Sequence, residues 1–317
     1  MDTPIALLDV KRMQRNILRM QRQADALGVS LRPHVKTHKC AEVVSAQMAA
    51  GARGITVSTL KEAEYFFTQG IHDILYAVAM APHKLPQALA LRRQGCALTL
   101  ITDSLAAAQA IVDFGQLHGE TFAVLIEIDC DGHRSGVKPQ APLLLEISRL
   151  LHEGGMLAGV LTHAGESYGL DTPEALQAIA EQERARCVAA AEAIRDAGLP
   201  CPQVSVGSTP TALSAVSLEG VTELRAGVYV FFDLVMHNIG VCRQDELALS
   251  VLSTVIGHQP EKGWIITDSG WRARSRDRGT QSQKRDFGYG QVCTETGEVI
   301  DGLLLGSANQ EHGVASF

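Results

Sequence analysis

The chain reads as an α/β protein: a (β/α)8 TIM barrel of eight parallel strands, followed by a smaller antiparallel β-domain. Three observations carry that reading. Between residues 31 and 227, eight short apolar runs alternate with helical segments mostly of about ten or more residues, the signature of a parallel sheet. No GxGxxG fingerprint occurs, and with a count of eight this favours a closed barrel over an open doubly wound sheet. Beyond about residue 240 the texture changes to strand-like runs separated by turns, with few helical signals.

The elements follow in order. TPIALLDV (3–10) is placed as a strand lent to the β-domain, and 11–27 as a helix. The barrel strands are LRPHV (31–35), GITVS (54–58), DILYAVAM (73–80), ALTLIT (97–102), FAVLIEID (122–129), LAGVLTHAG (157–165), QVSVG (203–207) and VTELRAG (221–227). Alanine- and leucine-rich stretches at 84–94, 104–118, 141–152 and 173–197 supply helices, while 210–219 leaves room for only a short one. The barrel thus takes 11–240 and the β-domain 241–317. Strand-like runs in the latter are LALSVLSTVIGH (247–258), GWIITDSG (263–270), YGQVCTETG (289–297) and VIDGLLLGS (299–307), after which HGVASF follows a turn region. Four short strands make a thin domain, so its last strands are expected to be truncated or supplied by another chain.

The totals narrow the function classes. With 317 residues, 46% hydrophobic and 20% charged, the composition is that of an ordinary soluble enzyme. A net charge of -7 gives no overall support for nucleic-acid binding. Seven cysteines are scattered singly with no CxxC pair, which reads as free thiols in a reducing compartment rather than a disulfide framework or a thiolate zinc site. The first thirty residues contain Asp2, Asp9 and Asp25 and no continuous apolar segment, so neither a signal peptide nor a membrane span fits. The expected address is the cytoplasm.

Barrel ligands meet the C-terminal strand ends. In RPHVKTHK (32–39), period-two alternation puts Arg32, His34, Lys36 and His38 on one side, and Leu31, Pro33, Val35 and Thr37 on the other. A lysine aimed inward near the mouth needs an anionic or covalent partner, as a Schiff-base lysine does; the alternative is a solvated basic edge. VSTLKEAE places Ser58 and Thr59 at the mouth, Thr59 pairing with Glu62 as a helix cap. EIDCDGHRSG offers Arg134 as donor to a phenolate or carboxylate, or as a plain surface arginine. LTHAGESYG sets His163 directly after a buried run, with Tyr168 nearby. SVGSTPT supplies Ser208 and Thr209 as an anion cradle or an ordinary N-cap, and AGVYVFFD adds Gly227 and Tyr229. A phosphate at strands seven and eight and an electrophile near strand one describe a phosphate-bearing, imine-forming ligand.

In combination, RPHVKTHK, ITVSTLKEAE, EIDCDGHRSG, LTHAGESY, SVGSTPT, ELRAGVYVFFD and NQEHG resemble the D-threonine aldolase and D-serine dehydratase-like family over nearly the whole chain. The resemblance implies a fold-type III pyridoxal 5'-phosphate enzyme, built like alanine racemase as a head-to-tail homodimer. It implies Lys36 as the lysine that binds the aldehyde, with His34 also against the cofactor and Arg134 beside its phenolic oxygen. His163 (catalytic) and Tyr168 would line the ring and substrate side, and Ser208, Thr209, Gly227 and Tyr229 would hold the phosphate. It further implies a divalent metal (Mn, Mg, Co or Zn) whose ligands are not found in this chain, His312 included. The activity implied is elimination of water from a D-3-hydroxy amino acid, such as D-threo-3-hydroxyaspartate to oxaloacetate and ammonia or D-serine to pyruvate. Aldol cleavage to glycine and an aldehyde uses the same residues and stays open. So do a non-catalytic pyridoxal phosphate carrier and a racemase with Tyr289 as second base.

Overall fold

The computed structural model describes residues 2–316 and divides into two compact units. One comprises residues 17–167 and 173–229; the other holds the N-terminal residues through Asn16, residues 168–172 and the chain from Val230 onward. After β1 (Ile5–Leu8) and α1 (Val10–Ala26), the first unit builds eight strands: β2 (Ser30–Pro33), β3 (Ile55–Val57), β4 (Asp73–Ala79), β5 (Ala97–Thr102), β6 (Ala123–Ile128), β7 (Leu157–Thr162), β8 (Gln203–Val206) and β9 (Glu223–Ala226). Between them run α2 (Ala41–Ala49), α3 (Leu60–Thr68), α4 (Leu85–Arg93), α5 (Leu105–His118), α6 (Pro142–Glu153), α7 (Pro173–Asp196) and the short α8 (Thr209–Ser214).

All neighbours are parallel, in the order β2-β9-β8-β7-β6-β5-β4-β3. The ring closes between β2 and β3 through one bridge, His34 to Thr56, so the (β/α)8 barrel is nearly complete. The strands are short and apolar because both faces are covered: Leu75, Ile101, Leu125 and Leu161, one from each of four neighbouring strands, form a buried cluster. Local chemistry sets the helix ends. Ser104 accepts the Ala107 N–H to start α5, and Gly119, left-handed at φ 64°, stops it. Thr59 accepts the Glu62 N–H to start α3, the cap read from the sequence.

The alternation expected through residue 38 fails. β2 stops at Pro33, and Val35–Thr37 wind into a 3-10 turn. The reason is local: His34 Nδ1 accepts the Lys36 N–H at 3.5 Å, and the Val35 carbonyl accepts from both His38 and Lys39 N–H, so the backbone curls instead of extending. Lys36 reaches the strand end on a turn, not on a strand face.

In the second unit β1 pairs antiparallel with β10 (Leu249–Leu252), and α9 (Leu234–Asn238) is a single short helix. A five-stranded antiparallel sheet runs β11-β12-β15-β14-β13, with β11 (Val255–Gln259), β12 (Trp264–Thr267), β13 (Gln291–Cys293), β14 (Val299–Ala308) and β15 (Gly313–Ser316). Two expectations are corrected here. The run 247–258 is two strands in different sheets, broken where Thr254 exchanges bonds with Asp268: its N–H donates to the carboxylate and its carbonyl accepts the Asp268 N–H. The expected four short strands are also too few, since the final residues form β15, which lies at the sheet's centre between β12 and β14. Leu303, Leu305 and Ala315 form this unit's core, against which Tyr289 packs. Among the described residues no helix is long and apolar enough to cross a membrane.

Candidate active site

The C-terminal ends of the barrel strands gather a set of cationic and imidazole side chains. Lys36 is solvent-accessible, yet its ammonium is disfavoured. Loss of hydration lowers its pKa from the usual lysine range, the Arg134 charge adds to the effect, and Glu62 opposes it. Glu62 is itself tethered, accepting the Ser58 N–H at 2.8 Å and pairing with Lys39 at 3.1 Å. The lysine turn packs directly on the turn after β9. A Cβ on Gly227 would lie 2.9 Å from the His34 carbonyl oxygen and 3.0 Å from Thr37 Oγ1, so a side chain there would push the two apart.

His163, at the end of β7, places Nδ1 2.9 Å from the Gly207 carbonyl oxygen. A carbonyl can only accept, so Nδ1 carries the proton and Nε2 keeps a lone pair. Burial, then the charges of Arg225, Arg134 and Lys36, lower its pKa to about 4 against the Gly207 bond, so the ring is neutral at pH 7. His34 is also held neutral by burial and by Lys36, Arg225 and His163; its ring hydrogen-bonds to the Thr56 backbone, which ties it to the barrel seam. Arg134 stands on the loop after β6, its side chain 60% exposed and Nη2 3.4 Å from Glu127 Oε1.

Ser208 and Thr209 form the corner after β8. Ser208 Oγ accepts the Thr211 N–H while its own N–H donates to Thr211 Oγ1, a reciprocal cap, and Oγ also bonds Ser167. Thr209 Oγ1 accepts the Tyr229 N–H at 3.2 Å, joining the turns after β8 and β9. Ser208 Oγ is taken up by internal bonds, whereas Thr209 Oγ1, accepting one N–H, keeps its own O–H to donate to an anion. The Tyr229 phenol is fully buried and turned to Gln47 Nε2 at 2.9 Å. Tyr168 groups with the other unit, where its carbonyl accepts from Gln283.

The basic stretch that stands out in the sequence divides. Arg32 is buried in ion pairs with Glu223 (2.6 Å) and Asp73 (2.8 Å), and is a structural residue at the strand starts. His38 is tied to its own turn, its Nδ1 accepting the Cys40 N–H at 3.2 Å. Of this stretch only His34 and Lys36 contribute to the mouth.

Two residues were invisible in the sequence. Arg225 is fully buried, donating to Ser205 Oγ (2.6 Å) and the Thr162 carbonyl (2.5 Å), and its charge reaches both histidines. Its signal was only its place in LRAG. Glu183, fully buried on α7, accepts the N–H groups of Ala164 (2.8 Å) and Gly207 (3.1 Å); an acidic residue inside a long helix reads as solvated face unless the structure is known. No group of three or more His, Cys, Asp or Glu able to hold a metal exists among the described residues. The expected divalent ion therefore finds no donor set there, and no step is assigned to one.

Comparison with known proteins gives a consistent set of likenesses. The family model "Alanine racemase, N-terminal domain" matches residues 8–235, and "Putative serine dehydratase domain" matches 248–317. The D-threo-3-hydroxyaspartate dehydratase of Delftia sp. (strain HT23) is 70% identical over 316 residues, 99% of this chain and 83% of that protein. A D-threonine aldolase from Arthrobacter sp. is 30% identical over 323 residues, 99% of this chain and 79% of the relative. The solved structure of the Delftia dehydratase superposes with a TM-score of 0.99 at 69% identity, covering 100% of this chain and 84% of that one.

Proposed function

Since the chain belongs to the D-threonine aldolase and D-serine dehydratase-like family of alanine-racemase-type barrels, we propose that it is a pyridoxal phosphate-dependent dehydratase removing water from D-threo-3-hydroxyaspartate to give oxaloacetate and ammonia. The observation that carries this reading is the convergence on one barrel mouth of a lysine with a lowered pKa, two arginines and two neutral histidines. The residues present fit the cofactor. Lys36 would take its aldehyde, Arg134 its phenolic oxygen, and the Thr209 hydroxyl with the backbone at 209 and 227–228 its phosphate.

When bound, the cofactor supplies a conjugated ring that takes up negative charge at Cα. The protein's part is to choose the bond that breaks, by placing a base against it. Lys36 in its neutral form takes the α-proton; as ammonium it can then return that proton to the departing β-hydroxyl, so that water leaves, and the released enamine tautomerises and takes up water to give oxaloacetate and ammonia. Arg134 supports a second carboxylate on the substrate better than a neutral side chain. We further place the protein in the cytoplasm as a homodimer, on family likeness and on cysteines that form no disulfide among the described residues.

A second reading has one observation in its favour. His163 presents an unprotonated Nε2, which suits removal of the β-hydroxyl proton and cleavage of Cα–Cβ, the aldolase route. Product analysis separates the two. Holoenzyme is incubated with D-threo-3-hydroxyaspartate, D-serine and D-threonine, with and without manganese. Keto acid plus ammonia is the expected result; glycine plus an aldehyde selects the aldolase, and cofactor binding without any turnover selects a carrier.

A further inference from the structure

The ring of His163 is fixed by a closed set of three hydrogen bonds, two of which end on a single buried atom. Nδ1–H donates to the Gly207 carbonyl at 2.9 Å. The backbone on either side of that bond is tied to Glu183 Oε1 on α7. The Ala164 N–H, which completes the peptide group begun by the His163 carbonyl, donates to this oxygen at 2.8 Å, and the Gly207 N–H donates to it at 3.1 Å. Ala164, Glu183 and Gly207 are all buried, so water cannot take over as acceptor if the carboxylate is removed. Gly207 has little room to find another partner. Its φ is 140°, and a Cβ there would lie 1.9 Å from the Arg225 carbonyl oxygen, so its backbone is pressed against β9.

The two neutral forms of an imidazole differ in what they can do at a mouth. With the proton on Nδ1, Nε2 accepts; with the proton on Nε2, that nitrogen can only donate. The Gly207 carbonyl selects the first form, but only while it stays within reach of the ring.

We propose that Glu183 is a positioning residue for His163: by drawing the His163 and Gly207 peptides onto one oxygen it keeps the Gly207 carbonyl on Nδ1, and so makes Nε2 the nitrogen that accepts from the substrate's β-hydroxyl. The inference rests on the reading of the site given above and deepens it. Reach decides the effect, not charge. A neutral oxygen in the same place would hold both peptides, whereas a carboxylate set back by one methylene would miss them.

The test reads the tautomer by nitrogen NMR of the holoenzyme with isotope-labelled histidine rings, the His163 signals being those that vanish in His163→Asn. At neutral pH the wild type should carry its proton on Nδ1. In Glu183→Leu the ratio of the Nδ1–H form to the Nε2–H form should fall about tenfold, the worth of one hydrogen bond. Glu183→Asp keeps the charge but withdraws the oxygen, and should reproduce the fall even where Glu183→Leu folds poorly. Glu183→Gln keeps the accepting oxygen and should hold the wild-type ratio. An unchanged ratio in Glu183→Asp would overturn the inference and leave the turns to the Ser167 to Ser208 hydroxyl bond at 2.9 Å, which spans the same two turns. An equal fall in Glu183→Gln, or a wild-type proton on Nε2, would also overturn it, and in all three cases the cofactor reading would stand. Wild-type protein that takes up no pyridoxal phosphate would overturn both.

Discussion

Lys36 acts as a base or nucleophile only without its proton, and the structure lowers its pKa for two separable reasons, lost hydration and the Arg134 charge. The rate of cofactor attachment should therefore rise with pH through a value below the ordinary lysine range and then level off. Arg134→Gln removes the neighbouring cation, so the pKa moves back up and the rising limb shifts to higher pH; a limb that stays put would remove Arg134 from the electrostatics. The histidines work in the opposite direction on stability. His38 and His163 are neutral down to about 4 in the folded protein, but an unfolded histidine takes a proton near 6.5. The unfolded state thus binds more protons in that window, and stability falls as pH drops from about 6.5 to about 4. The urea midpoint should track this decline, and His163→Asn should flatten it.

At the scale of elements, α7 does more than cover the barrel. Gln182 and Arg186 grip the Cys130 carbonyl at 2.8 and 2.5 Å, while Glu183 takes the N–H groups of Ala164 and Gly207, so one helix holds the turns after β6, β7 and β8. Glu183→Leu strands two buried donors and should cost roughly 2–4 kcal/mol in denaturant unfolding. Glu183→Gln keeps the accepting oxygen and should lose much less; equal losses would mean that the charge beside Arg225, not the hydrogen bonds, is what matters. The eight strands and the helices of the barrel were legible because periodicity and apolar runs report burial directly. The Thr59 and Ser208 caps were legible from short-range chemistry. What escaped is set by contacts remote in sequence or by side chains overriding a pattern: the turn at 35–37, the break at Thr254, the small-residue strand β15, and the buried partners Glu183, Arg225 and Gln47. Periodicity carries no information about which polar group a buried residue will meet.

For the whole molecule, the family sets the reaction class and this chain's mouth sets the means. The homodimer proposed for it predicts a solution mass of about twice the 34.0 kDa chain by light scattering, and a monomer at working concentration would contradict it. In the proposed mechanism the branch between dehydration and aldol cleavage lies in which proton is taken first, Lys36 acting at Cα or His163 at the hydroxyl. Both routes need the same anchored amine. The most direct measurement is borohydride reduction of the holoenzyme followed by peptide mapping. A pyridoxyl group on the peptide bearing Lys36, and on no other lysine, is the predicted result; label on a different lysine, or none at all, would contradict the account.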